Sequence, residues 1–466
     1  MDNPRNRLVI NLLLVATFVV ILNETLMAVA LPRLMHDLQV TADAVQWLTT
    51  AFLLTMSVVI PVTGFLLQRL NTRPIFILAM SLFSLGTLLA ALAPNLQALV
   101  LARIIQASGT AVMMPLMMTT AMTLAPPETR GKTMGYITTV ISVAPAIGPT
   151  LSGVILNYLS WRWMFLLVLP ISLGALALGA RRMQNVTTPH SAALDGLSVI
   201  LSAVAFGGIV YGLSTIGAPA AVPAGLWSAI GLVFLALFVI RQRALQKTGY
   251  PLLDLRTFGS RNFTVSVLLM ASMMMALFGT IILLPIYPQN VLGLNTLQTG
   301  LLLLPGGLLM GLLGPHVGRL YDKLGPIRLL VPGVVVVSIV LWAMTLLGPT
   351  TQIAYILAGH IVMSIGFAFL FTPLFTVSLS SVKASLYSHG SAVIGTIQQA
   401  AGAAGVALFV ALMSAQAAKL AASGLAPTEA LARGVRAGFV CGASISMFAV
   451  VCLLFLRRPQ AAESAA

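Results

Sequence analysis

Acid is nearly missing from this chain. Ten aspartates and glutamates stand among 466 residues, against 25 lysines and arginines, and charged residues of every kind make up only 8%, where a soluble domain carries roughly 25%. So little charge cannot cover a water-facing surface, which excludes a soluble enzyme or binding module. Cysteine is just as scarce. Cys441 and Cys452 both fall in the last apolar run, where they read as small core residues and not as a disulfide or metal framework. No Cys/His spacing suggests a metal site, and no G-x-x-x-x-G-K-[ST] loop suggests direct drive by ATP.

Apolar sequence is what fills the chain: 59% of residues are hydrophobic and the mean hydropathy is +1.01. At roughly 17–25 apolar residues per crossing, spans fall near 8–31, 46–67, 75–93, 97–121, 134–158, 163–180, 196–215, 224–241, 262–287, 297–317, 327–347, 353–376, 389–414 and 437–456. The pattern predicts an all-α integral membrane protein. The first run is too long for a signal-peptide core and lacks an A-x-A-like cleavage site, so it is kept as a span and the mature chain is expected to begin near Met1. A net charge of +15 would point to nucleic acid in a soluble chain; here it sorts by loop. With a cytoplasmic N-terminus, Arg5, Arg7, Arg69, Arg73, Arg130, Lys132, Arg181, Arg182, Arg241, Arg243, Lys247, Arg256, Arg261, Arg319, Lys323, Arg328, Lys383, Arg457 and Arg458 lie inside, and only Arg33, Arg162, Lys419, Arg433 and Arg436 outside. That is the positive-inside bias, and it predicts both termini in the cytoplasm, with the bilayer rather than nucleic acid as the partner of the basic residues. The outer connection 415–436 is expected either as a plain loop or with a short surface helix after Pro427.

A weak internal repeat organises the spans. "GFLLQRLNTRP" (64–74) aligns with "GRLYDKLGPIR" (318–328), and "LARIIQASG" (101–109) with "AGHIVMSIG" (358–366), at offsets of 254 and 257. A nearly constant offset marks a duplicated six-helix unit with two spans left over. The expected plan is a six-helix bundle over 1–182, two inserted helices over 183–245, and a second bundle over 246–466.

These stretches resemble the major facilitator superfamily, in particular its fourteen-helix drug:proton antiporter branch, relatives of the quaternary-ammonium and lincomycin exporters. "LNETLMAVALP" resembles the branch's first-helix signature, with Asn23 where an aspartate is usual and the carboxylate one residue later, at Glu24. Arg103, Gln106 and Gly109 match R-x-x-Q-G-x-G, with Ala107 replacing a glycine. Gly148, Pro149 and Gly153 match the antiporter motif G-P-x-x-G-G, with Ser152 replacing a glycine. "WRWMFLLVLP" (161–170) resembles the start of the sixth helix, and "LYSHGSAVIGTIQQAAGAAG" (386–405) the lincomycin-exporter group. Gly64, Arg69, Arg73, Gly318, Asp322 and Gly325 match the gating loops, but Gln68 and Asn71 stand where the first loop normally has aspartate and glycine. A weakened or replaced contact is expected there. The resemblance implies the major facilitator fold, a monomer, no cofactor beyond a proton gradient, and export of small-molecule drugs in exchange for protons across the bacterial inner membrane. Export or symport of one endogenous metabolite is the alternative; a non-transporting sensor lacks the signalling extension such a role needs.

The residues that carry this chemistry are few. Counted from the outer ends of their spans, Glu24 and Arg103 lie about 10 Å and about 9 Å deep, and intramembrane charges face a partner or a watery cavity. Two readings stand: a fixed ion pair, or a proton site on Glu24 tuned by Arg103. Asp195 is a second proton candidate or a helix cap, and His360 a titrating or a packing histidine. His316 and His389, at helix ends, are expected to be interfacial. Asn23, Gln106, Gln398, Gln399, Met113 and Met114 are candidate substrate contacts. The methionine clusters 113–118 and 273–275 equally suit core filling.

Overall fold

In a bilayer every backbone N–H and C=O must be bonded within the protein, and a helix achieves this within one segment. The computed structural model describes residues 4–186, 194–214, 224–247 and 251–456; Arg457 and Arg458 lie outside the described residues. Fourteen helices among them are long and apolar enough to span a membrane, and no strand occurs there. They are α1 (Pro4–Leu38), α2 (Ala42–Arg69), α3 (Thr72–Leu92), α4 (Leu96–Leu124), α5 (Arg130–Tyr158), α6 (Trp163–Arg182), α7 (Gly196–Ser214), α8 (Ala224–Leu245), α9 (Arg261–Asn290), α10 (Thr296–Leu324), α11 (Ile327–Met344), α12 (Ile353–Ser380), α13 (Tyr387–Ala422) and α14 (Pro427–Leu453). This is a multi-pass membrane protein.

One connection departs from expectation. The stretch 415–436 is neither a loop nor a separate surface helix, because α13 continues to Ala422 and α14 already starts at Pro427. Its alanine-rich sequence favours helix although its hydropathy falls, and proline suits the first helical position, where its missing N–H costs nothing.

Among the first six helices, α1 packs on α2, α4, α5 and α6, and α3 on α4 and α6. Among the last six, α9 packs on α12, α13 and α14, and α11 on α12 and α14. Contacts of α5 with α10 and of α2 and α4 with α13 join the two sets. The pair α7–α8 lies beside them, with α7 touching both α2 and α13.

Glycines let α5 and α10 approach backbone to backbone. Gly131 meets Gly318 and Gly135 meets Gly314, so that a Cβ on any of the four would strike main-chain atoms of the other helix. Between them Thr139 Oγ1 donates to the Gly311 carbonyl at 2.7 Å. These glycines recur three, four or seven residues apart, the spacing of one helix face.

Candidate functional site

Arg103 is held by neutral groups. Its Nη1 donates to Gln106 Oε1 at 2.6 Å and to Asn23 Oδ1 at 3.3 Å, and its guanidinium carbon stands 4.0 Å from the centre of the Phe52 ring. Gln106 in turn donates from Nε2 to Thr87 Oγ1 at 2.8 Å, tying α4 to α3. The side chain is 1% exposed, and its Nε has no hydrogen-bond partner. A cation taken out of water needs such dipoles and an aromatic face around it.

Glu24 is left out of that arrangement. Among the described residues it forms no ion pair within 4.0 Å and accepts no hydrogen bond, although it lies close enough to Arg103 for the two charges to interact. Of the two readings left open by the sequence, the fixed ion pair is not formed; Asn23, one residue earlier, occupies Arg103. A step of one residue turns about 100°, so Asn23 and Glu24 present their side chains in different directions from α1. Nine residues, or 2.5 turns, separate Glu24 from the exposed Val15, which places the two on opposite faces of α1. Glu24 thus points into the bundle, and it is only half-buried there. Thr25, next to it, packs on Gly148 of α5.

Across the bundle, Gln398 and Gln399 are also half-buried. They follow Gly395, which touches Ile60 of α2 and Pro115 of α4, so one turn further along α13 the two amides face the first six helices. Met114, beside Pro115, keeps partial exposure. Three other candidate substrate contacts do not reach any open space: Asn23, Gln106 and Met113 are at most 1% exposed. The first two are committed to Arg103, and Met113 fills core.

Asp195 forms a helix cap and an ion pair. It accepts from Ser198 N at 3.0 Å and from Ser198 Oγ at 2.5 Å, and from Arg241 of α8 at 2.8 and 2.9 Å. The Arg241 guanidinium, with Ser198, holds its carboxyl down at about 2. His360 joins α12 to α10 through the Leu303 carbonyl at 2.9 Å. His316 is exposed, whereas His389 is 2% exposed and buried between helices, contrary to the interfacial expectation.

The hydrogen bonds joining the first six helices to the last six cluster toward the end where the chain starts and finishes, called here the terminus-bearing end. Asp322 accepts from the backbone N–H of Gly131 at 2.7 Å and of Lys132 at 2.9 Å. These are orphan donors of the first turn of α5, so the carboxylate caps that helix and meets its positive end. Thr138 of α5 accepts from Thr372 of α12 at 2.9 Å, and Thr119 of α4 meets Ser391 of α13 at 2.5 Å. Gln68 of α2 meets His389 of α13 at 2.7 Å, and Gly64, one turn away, lets Ala392 approach. Gln68, which stands where the resemblance has aspartate, thus pairs with a histidine far along the chain.

The remaining motif residues have local roles. Arg73 donates to the Ala180 carbonyl at 2.5 Å, and the Arg69 guanidinium lies 5.8 Å from the Phe65 ring. Gly325 ends α10 at a φ of 76°, where a side chain would be strained. Pro149 lies inside α5, and Gly153 faces open space.

The two helical sets are thus joined by hydrogen bonds at one end, with Glu24 unpaired inside the bundle. The family model described as Major Facilitator Superfamily matches residues 13–406, and the chain belongs to that superfamily. It is 39% identical over 460 residues to the lincomycin resistance protein LmrB of Bacillus subtilis, covering 96% of this chain and 95% of that one. To the MFS-type transporter YcnB of the same organism it is 39% identical over 468 residues, covering 98% and 97%. A multidrug resistance protein B homolog of Mycobacterium tuberculosis is 29% identical over 84% of this chain and 73% of its own length. Among solved structures, the human organic anion transporter MFSD10 superposes with a TM-score of 0.70 at 14% identity, covering 97% of this chain and 100% of its own. The proton:xylose symporter XylE does so with 0.68 at 14% identity, covering 99% and 98%. At those identities the likeness concerns the fold.

Proposed function

We propose that this transporter exports lipophilic or cationic drugs in exchange for protons. In this reading it sits in a bacterial inner membrane with both termini in the cytoplasm, works as a monomer without a cofactor, and is built of units 1–182, 183–245 and 246–466. The observation that carries the reading is Glu24: a carboxylate inside the bundle, without a partner, on a chain 39% identical to a lincomycin resistance protein. An unpaired carboxylate in a poorly solvated site favours taking up a proton or a cation. Proton and cationic substrate then compete for one group, and such competition is sufficient for exchange. In the form described here the terminus-bearing end is sealed, so Glu24 is loaded from the far side. Opening of the sealed end delivers the proton there and admits the next substrate. Arg103, fixed by Asn23, Gln106 and Phe52, limits the pull on the proton by its positive charge.

Purified protein in liposomes tests the reading. With an acidic lumen, ethidium and lincomycin should accumulate inside, and an ionophore that collapses the pH gradient should abolish the accumulation. Uptake of neither compound, or uptake indifferent to the gradient, overturns it.

A further inference from the structure

The internal repeat sets Gln68 of the first half against Asp322 of the second, 254 positions on. Their partners correspond too. Asp322 caps the first turn of α5, while Gln68 meets His389, the third residue of α13. One seam of the sealed end is thus closed by a carboxylate on backbone N–H groups, the other by an amide and an imidazole.

The contact at the second seam restricts the proton on the ring. Gln68 Nε2 and His389 Nε2 are 2.7 Å apart. An amide nitrogen has no lone pair to offer, so the imidazole Nε2 accepts and bears no proton. If the amide is turned over, its oxygen accepts a hydrogen bond from Nε2–H, and in a neutral ring Nδ1 is then the bare nitrogen. In either orientation the ring stays buried, in a side chain 2% exposed, with the Leu252 main chain as its further hydrogen-bonding neighbour.

No free anion waits for an imidazolium there. Of the elements packed against it, α2 brings Gln68 and Gly64. The segment before α9 brings Leu252, Asp254 and Arg256. Asp254 is engaged with Arg256, accepting from its Nε at 2.8 Å, its Nη2 at 2.5 Å and its backbone N–H at 2.9 Å. Burial raises the Asp254 carboxyl, but these bonds outweigh it and keep the group below its usual range. Of the neighbouring cations, Arg69 adjoins Gln68 on α2, and Arg130 lies 5.8 Å from the ring of Tyr387, two residues before the histidine. Nor can the segment easily rearrange, because the N–H groups of Leu252 and Leu253 are both held by Gln242 Oε1 of α8, at 2.7 and 3.2 Å.

We propose that His389 is a second protonation site of the transport cycle, and that the α2–α13 seam closes only around its neutral imidazole. A charge buried there lacks water, and the carboxylate nearest it, Asp254, is already engaged by Arg256. Once the seam opens, water reaches the ring and it titrates in histidine's ordinary range. Acid on the terminus-bearing side therefore favours the open seam, and closure returns a proton to that side. The inference deepens the antiport reading and rests on it for the word cycle, but the seam itself can be observed without any substrate.

Spin labels on Pro74→Cys and Ser385→Cys, both exposed and on opposite sides of the seam, report its width once Cys441 and Cys452 are changed to serine. Distances are measured in lipid nanodiscs at about pH 8 and about pH 5.5, to either side of histidine's ordinary range. The expected result is a shift to longer separations at the lower pH that persists in Glu24→Gln and disappears in both His389→Gln and His389→Asn. A shift that persists in both histidine variants, or vanishes in Glu24→Gln, or is absent from the parent protein, overturns the assignment. Failure of drug transport alone, with the histidine-dependent shift intact, would count against the antiport reading and leave the gate standing.

Discussion

At the scale of residues, two of the bundle's charged groups are treated in opposite ways. Arg103 is held by neutral partners at Nη1 and the Phe52 ring, whereas Glu24 has none. Removing the guanidinium by Arg103→Ala leaves the oxygens of Asn23 and Gln106 buried without a donor, at about 1–3 kcal/mol for each unsatisfied group. A large drop in thermal stability is expected, with Arg103→Lys recovering only part of it because a lysine cannot reproduce the planar fork or the stacking on Phe52. Asp195 makes a sharper contrast with Glu24. Loss of its cap in Asp195→Ala should cost about 1 kcal/mol while gradient-driven transport survives. Its carboxyl, held at about 2 by Arg241 and Ser198, lies below the unfolded value of about 3.9. The stabilisation is therefore complete above about pH 4 and fades as pH falls toward 2. Thermal melts of both proteins across that range check it: the gap between them should be constant from neutral pH downward and close only in strong acid. Retention of transport fits a cap; loss of gradient coupling without loss of protein would return Asp195 to the proton path.

At the scale of elements, the glycine face shared by α5 and α10 makes the sealed end possible. A valine at Gly135 would meet the backbone of Gly314 and Pro315, and no rotamer change relieves a clash with main chain. Gly135→Val should therefore fold, since both helices keep their other contacts, yet fail to close the terminus-bearing end. The check is a cysteine placed at Thr119, buried in the closed form, which should become reactive to a water-soluble maleimide. Continued protection of that cysteine would show that the seam tolerates a side chain. Much at this scale is legible in the sequence. The fourteen spans, the repeat and the likeness of Gly64 to Gly318 all follow from hydropathy and spacing, because a bilayer allows little besides helices. The glycine face was not read from the sequence, although positions 300, 307, 311, 314 and 318 keep to one side of a helix. The extension of α13 and α14 was missed because hydropathy measures what enters lipid, and helices continue past it wherever propensity allows. Pairings such as Gln68 with His389, 321 residues apart, depend on how the halves meet, and no local pattern encodes that.

At the scale of the whole molecule, the seal at one end and the unpaired carboxylate in the interior are parts of one arrangement. In the proposed cycle, sealing by Asp322, Gln68, Thr119 and Thr138 fixes which side can reach Glu24, and the chemistry of Glu24 decides what binds there. The α7–α8 pair, lying against both α2 and α13, is tied by Gln242 to the segment that backs His389, so the extra helices brace the same seam. The central claim is that substrate and proton compete at Glu24. Its most direct measurement is proton release into weakly buffered solution when ethidium or lincomycin is added to the purified protein, with wild type beside Glu24→Gln and binding followed in parallel. Wild type should release protons on binding, and Glu24→Gln should bind without release. Equal release from both proteins would contradict the role assigned to Glu24.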